Sequence, residues 1–137
     1  MAVLGNASKA KLKGVHQKLV KVIEEAIKDT PIDFSVISGV RTTEEQKALY
    51  AQGRTKPGSI VTKADGVKNK SNHQVKADGL GHAVDICPYV NGKLDWNNMN
   101  NFKLITTHIK DVAKCLGVDI SCGIDWKFLD APHIELK

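Results

Sequence analysis

The sequence is short of cysteines, aromatics and long apolar runs, and each shortage removes a class of protein. Its three cysteines, Cys87, Cys115 and Cys122, form no Cys-x-x-Cys pair. An odd count at that spacing predicts neither a disulfide framework nor a Cys-rich zinc site. Reduced thiols suit synthesis in the cytoplasm, and all three are expected to pack as small hydrophobes. Aromatic residues make up only 5% of the chain, so no stacking platform for single-stranded nucleic acid is evident. Residues 1–22 interleave lysines with apolar side chains, unlike the continuous apolar core of a signal peptide. No stretch is long enough to span a bilayer, so stable membrane insertion is not expected.

What is present is a chain of 137 residues with an ordinary 42% hydrophobic content. That favours one domain, residues 1–137, with neither linker nor internal repeat. The net charge of +5 and pI of about 9.1 suggest an anionic partner, without choosing among nucleic acid, membrane surface and cell wall. No helix-turn-helix or finger signature supports nucleic acid.

Leu12, Val15, Leu19, Val22 or Ile23, and Ala26 recur every three or four residues, which predicts an amphipathic helix from near Ser8 to before Pro31. Asp33 to Ser38 reads as a strand. A second helix follows Thr42, which has capping-box spacing to Glu45, and Gly53 is a plausible stop. Arg54 to Lys70 lacks periodicity and reads as a long loop of the kind that is usually functional or mobile. Ala83 to Ile86 is a strand core, and Asn91-Gly92 signals a two-residue hairpin. Phe102, Ile105, Ile109, Val112 and Leu116 mark a third helix ended by Gly117. Short strands are expected at Val118 to Ile120 and His133 to Leu136. The order predicts an α+β domain: a small, mainly antiparallel sheet packed with about three helices.

Five histidines occur: His16, His73, His82, His108 and His133. His16 and His108 fall within predicted helices, without a partner at ligand spacing, and read as structural. The other three sit among acids and turn residues. Successive strand side chains point to opposite faces, so Asp85 shares a face with Ala83, and His82 shares the other with Val84. His82 and Asp85 should therefore not bind one ion together. The small Ala83 leaves space beside Asp85 for a ligand delivered from elsewhere, and His73 can supply it. Asp130-Ala131-Pro132-His133-Ile134-Glu135 offers a third ligand and further acids. Two imidazoles and one carboxylate form a catalytic zinc set with the fourth position left for water.

Ser71-Asn72-His73, Gly81-His82-Ala83-Val84-Asp85 and Asp130-Ala131-Pro132-His133-Ile134-Glu135-Leu136 together resemble the zinc D-alanyl-D-alanine carboxypeptidase and L-alanyl-D-glutamate endopeptidase family. Its signature is Ser-x-His, a Gly-x-Ala-x-Asp strand, and an acid three residues before a final His. Ser38-Gly39-Val40-Arg41-Thr42, residues 49–55, residues 88–96 and Gly123-Ile124-Asp125-Trp126 add to the likeness. It runs from about residue 35 to the end and looks closest to the phage and prophage endopeptidases. One departure is the spacing: in much of the family the first His precedes the Asp by seven positions, where Asp78 stands here. A short insertion, Val75 to Gly79, accounts for this, and Asp78-Gly79 is turn chemistry. His82 remains the competing first ligand.

The resemblance implies a hedgehog-like peptidase fold in which His73, Asp85 and His133 hold Zn²⁺. It implies Asp130 as general base and Arg41 as the cation that stabilises the oxyanion. Glu135, two residues from His133, would orient that ligand or compete with Asp130. The implied substrate is the stem peptide of bacterial peptidoglycan, cut between L-alanine and D-glutamate by a monomeric phage lysis enzyme. Such an enzyme is made in the host cytoplasm and acts on the wall after release. The alternatives are a D-alanyl-D-alanine carboxypeptidase and a non-catalytic wall-binding module. Asp119, Asp125 and Asp130 do not match a known calcium loop.

Overall fold

The computed structural model describes residues 2–137, with Met1 outside the described residues. The described residues form an α+β fold of four α-helices and a five-stranded antiparallel sheet. The helices are α1 (Asn6–Lys11), α2 (Gln17–Lys28), α3 (Thr43–Ala51) and α4 (Met99–Leu116). The strands are β1 (Phe34–Ser38), β2 (Ala83–Val90), β3 (Lys93–Leu94), β4 (Ile120–Cys122) and β5 (His133–Leu136). The sheet runs β1-β2-β5-β4, with β3 paired to β2 through the hairpin at Asn91-Gly92, both at positive φ.

The first expected helix is two. Gly14 takes φ +81 in the turn that follows α1, and His16 starts α2 as its N-cap, its Nδ1 accepting from Lys18 N at 3.1 Å. The apolar rhythm runs through this break because Val15 stays buried, pairing with Gly81. α3 begins where expected, with both hydrogen bonds of the Thr42–Glu45 capping box formed. His108 is structural: its Nε2 lies 2.9 Å from Ala26 O, tying α4 to α2. Cys87 and Cys122 are buried, and burial pushes both thiols up to about 11; Cys115 is exposed, not packed as expected.

Strand alternation separates the core from the site. Val84, Ile86 and Ile134 are fully buried in one cluster with Leu19, Val22 and Ile23 of α2 and Phe102, Ile105 and Ile109 of α4. Each such apolar side chain contributes roughly 1.5–3 kcal/mol when fully buried, so this face is the rigid side of the sheet. The alternate positions of β2 and β5 face the other way. Asp85 stands opposite His133, and Ala83 opposite Glu135, so these four residues share the second face.

Candidate active site

β1 reaches this face through an irregularity. Its register against β2 shifts between Val36 and Ser38, which sets Ser38 opposite Asp85 and leads the chain into Gly39-Val40-Arg41. That segment lies beside residue 73: Arg41 N donates to His73 O at 2.9 Å, and His73 Nδ1 lies 2.8 Å from Gly39 O. The Gly39 carbonyl can only accept, so Nδ1 carries a proton, which in the neutral ring leaves Nε2 to present its lone pair. The serine of Ser-x-His has a local task, accepting from His73 N at 3.2 Å through Oγ.

His73, Asp85 and His133 meet. His73 Nε2 lies 3.3 Å from Asp85 Oδ1, His133 Nδ1 lies 3.5 Å from that same oxygen, and the two nitrogens are 3.2 Å apart. All three residues are buried. Asp85 Oδ1 is buried without a hydrogen-bond partner. With their inner nitrogens unprotonated, the two imidazoles and the orphaned carboxylate oxygen repel one another, so a proton or a metal cation must sit among them. A tetrahedral ion with ligands at 2.0–2.1 Å sets its donors roughly 3.3–3.4 Å apart, which the three edges match. The donor set therefore fits a metal ion of the zinc type.

Asp85 and His133 are each held from behind. Asp85 Oδ2 accepts from Arg41 Nη2 at 2.8 Å. His133 Nε2 lies 2.6 Å from Glu135 Oε1, and Glu135 Oε2 accepts from Asn72 Nδ2 at 2.7 Å. This arrangement turns Nδ1 of His133 inward. Burial opposes ionisation of Asp85, but His133, His73 and Arg41 outweigh it and hold the carboxyl well below its ordinary range. Burial likewise opposes charge on His133, yet the Asp85 and Glu135 carboxylates raise it to about 9. Asp130 is shifted the other way: burial, then the Asp85 charge, pushes its carboxyl above the ordinary value. Its Oδ2 lies 3.7 Å from His133 Nδ1, beside the metal-capable group and outside it.

His82 points elsewhere, its Nε2 2.7 Å from Asp78 Oδ2, and among the described residues the metal-capable group is His73, Asp85 and His133. The 75–79 segment makes the turn expected of an insertion, with Gly79 N donating to Lys76 O at 2.9 Å.

The group opens into a cleft of about 500 Å³ lined by Arg41, Asp130 and Glu135, by α3, and by the 61–72 loop facing Trp126 and Phe128. Two buried glutamines that sequence reading passed over fix this loop. Gln46 Nε2 donates to Ala64 O at 2.9 Å and Thr62 Oγ1 at 3.2 Å, while its Oε1 accepts from Arg41 Nη1 at 3.2 Å. Gln74 Nε2 donates to Gly66 O at 3.0 Å, and its Oε1 accepts from Ser71 N at 2.9 Å. Trp126 lies tilted against His133, ring centroids 4.9 Å apart, and donates Nε1 to Ser121 Oγ at 3.0 Å. The signal for Gln46 was its position, four residues after the Thr42 cap on the inner side of α3; no periodicity rule selects a glutamine there.

A family model described as phage L-alanyl-D-glutamate peptidase matches residues 1–137. The chain is 31% identical over 133 residues to the L-alanyl-D-glutamate peptidase of Escherichia phage T5, covering 97% of this chain and 88% of that protein. It is 33% identical over 123 residues to the peptidoglycan L-alanyl-D-glutamate endopeptidase CwlK of Bacillus subtilis (strain 168), covering 83% of this chain and 66% of CwlK. The crystal structure of the Serratia marcescens L-Ala D-Glu endopeptidase ChiX shares the fold, with a TM-score of 0.73 at 23% identity over 99% of this chain and 91% of ChiX. With a full-length family match and a relative of this similarity, the chain belongs to the phage L-alanyl-D-glutamate peptidase family.

Proposed function

We propose that this chain hydrolyses the bond between L-alanine and D-glutamate in the stem peptide of bacterial peptidoglycan, as a zinc enzyme of phage-type host lysis. The observation that carries the reading is the closed triangle of His73 Nε2, Asp85 Oδ1 and His133 Nδ1 beneath a cleft that also holds Asp130. Family membership supports the choice of bond.

His73, Asp85 and His133 would hold the zinc, which supplies Lewis acidity toward water and the scissile carbonyl. Asp130 takes the proton of the attacking water and delivers it to the leaving amine nitrogen. Burial and the Asp85 charge raise its pKa, the direction that makes its carboxylate a better proton acceptor. Arg41 holds Asp85 and, lining the cleft, places positive charge near the developing oxyanion. Glu135 fixes the His133 ring and is thereby occupied, which leaves Asp130 as the base. The basic balance of the chain adds general attraction to an anionic wall. No helix of the described residues is long and apolar enough to cross a membrane.

The test is incubation with peptidoglycan fragments, with and without a chelator, followed by zinc add-back and mass spectrometry of the products. Release of a peptide beginning at D-glutamate, abolished by the chelator and restored by zinc, is expected. Loss of only a terminal D-alanine would move the assignment to carboxypeptidase, and no cleavage despite bound zinc to a binding module.

A further inference from the structure

The cleft floor is rich in carboxylates: Asp85, Asp130 and Glu135 all line it. Asp85 is matched by Arg41, and Glu135 by His133 and Asn72. With zinc held there, its two charges and that of Arg41 offset these three carboxylates and no more, so a substrate bringing another carboxylate gains from a further cation. A glutamyl residue inside a peptide does bring one. It has two carboxyl groups, and the chain continues through only one of them. The other stays free within a few bonds of the scissile nitrogen.

Three cationic side chains line the cleft: Arg41, Lys63 and Lys70. Arg41 is engaged by Asp85 and Gln46. Lys70 also borders an adjoining hollow with Val75 and Lys76. Lys63 reaches over the ring of Phe128, its Nζ 5.1 Å from the centroid, and so bridges the loop to the opposite wall. Among the described residues it makes no ion pair. A ring face holds an ammonium without taking up its N–H donors as a carboxylate would, so the charge is positioned and still free to bind an anion.

The backbone at Lys63 is fixed in relation to the metal-capable group. Gln46 bonds both neighbours, Thr62 and Ala64, and Ala64 N donates to Thr62 Oγ1 at 3.1 Å. The same Gln46 accepts from Arg41, which holds Asp85. A continuous set of hydrogen bonds therefore runs from the loop flanking Lys63 to the ligand carboxylate, as a residue measuring distance from the scissile bond requires.

We infer that Lys63 is the specificity-determining residue that binds the free carboxylate of the glutamyl residue on the leaving side of the cleaved bond, an assignment that rests on the proposed endopeptidase reading. Phe128 is a positioning residue for it.

Two synthetic peptides test this, one with the free glutamyl carboxylate and one with that group as a carboxamide, each assayed with the zinc-loaded protein. The wild-type chain should prefer the carboxylate by about three- to tenfold in kcat/KM, as expected of a partly exposed charge pair. Lys63→Met should bring the ratio near one, chiefly through KM, and Lys63→Glu should invert it. Lys63→Arg should retain the preference, and Lys93→Met, an equal loss of charge on exposed β3, should leave the ratio at the wild-type value. Calorimetric binding of the two D-glutamyl product peptides should follow the same order. Cleavage of both peptides with equal efficiency, or a Lys63→Met ratio equal to wild type, overturns the Lys63 assignment alone. Cleavage of neither overturns the endopeptidase reading and this assignment with it.

Discussion

Arg41 and Asp85 are joined through one carboxylate oxygen only: Oδ2 accepts from Nη2 at 2.8 Å, while Oδ1 turns to the two imidazoles. The guanidinium thus fixes which oxygen is free to ligate. In Arg41→Ala the carboxylate loses that constraint, and Gln46 Oε1 loses its donor. Zinc affinity should fall about 10- to 100-fold, the usual cost of removing a partner that holds a ligand. Measuring kcat at saturating zinc separates the two tasks proposed for Arg41. A kcat restored by excess zinc leaves only the positioning role; a kcat still lowered by two orders of magnitude or more supports the oxyanion role. An effect confined to KM points to ground-state binding instead.

The pH dependence of metal binding follows from His133. In the metal-free protein its imidazole is raised to about 9, so at neutral pH it carries a proton that a metal must displace. Apparent zinc affinity should rise close to tenfold per pH unit through neutrality and level off above about 9. Calorimetry at pH 7 in two buffers of different ionisation enthalpy should register about one proton released per ion. The stability of the metal-free protein should move oppositely. A pKa raised by folding adds stability that is full below the unfolded value of about 6.5 and is lost as pH rises through about 9. A flat affinity profile between pH 6 and 8 would contradict the charged state assigned to His133.

Asp130 and Glu135 are both acids near His133, but their geometry assigns them different failures. Asp130→Asn keeps the three ligands and their supports, so zinc should stay bound while kcat falls about 10²- to 10⁴-fold. Glu135→Gln loses the charge that orients the His133 ring across 2.6 Å, so zinc affinity should drop and activity should recover at high zinc. Zinc content by atomic absorption beside kcat distinguishes the two. A near-normal Asp130→Asn enzyme with full zinc would remove the base assignment.

Much of this arrangement is legible in the sequence because strand alternation is a strict rule. Placing Asp85 on the Ala83 face and His82 on the other required only period two, and the structure agrees, with His82 turned to Asp78. The capping box at Thr42 and the turn at Asn91-Gly92 are equally local. The break at Gly14 is harder to read. Val15 keeps the helical rhythm of Leu12 and Leu19 while packing as an extended residue against Gly81, so periodicity hides the break. The loop anchors are hidden for another reason. A buried glutamine such as Gln46 is justified only by partners 16 and 18 residues away, and no window of local sequence contains that information. Asn72 and Glu135, 63 residues apart, meet only because β5 pairs with β2.

Gly123 controls where Asp130 stands. A Cβ built on it would come within 2.2 Å of Asp130 O and 2.9 Å of Asp130 Cβ, far inside contact distance, and the first of these is backbone. Asp130 N also donates to Gly123 O at 3.0 Å, so the two segments cannot separate without losing a hydrogen bond. Gly123→Ala must therefore displace the 129–131 turn, although residue 123 is not one of the three metal-capable residues. Because a misplacement of about 1 Å can cost about 10²-fold in rate, kcat should fall by that order while zinc binding changes much less. A 3.0 Å hydrogen bond exchanged for strain should also lower stability by about 1–3 kcal/mol, read as a shift in the urea midpoint at unchanged m. Gly123→Ala with wild-type kcat would mean that the turn relaxes without moving the carboxylate, and Asp130 would then need no fixed position to do its work.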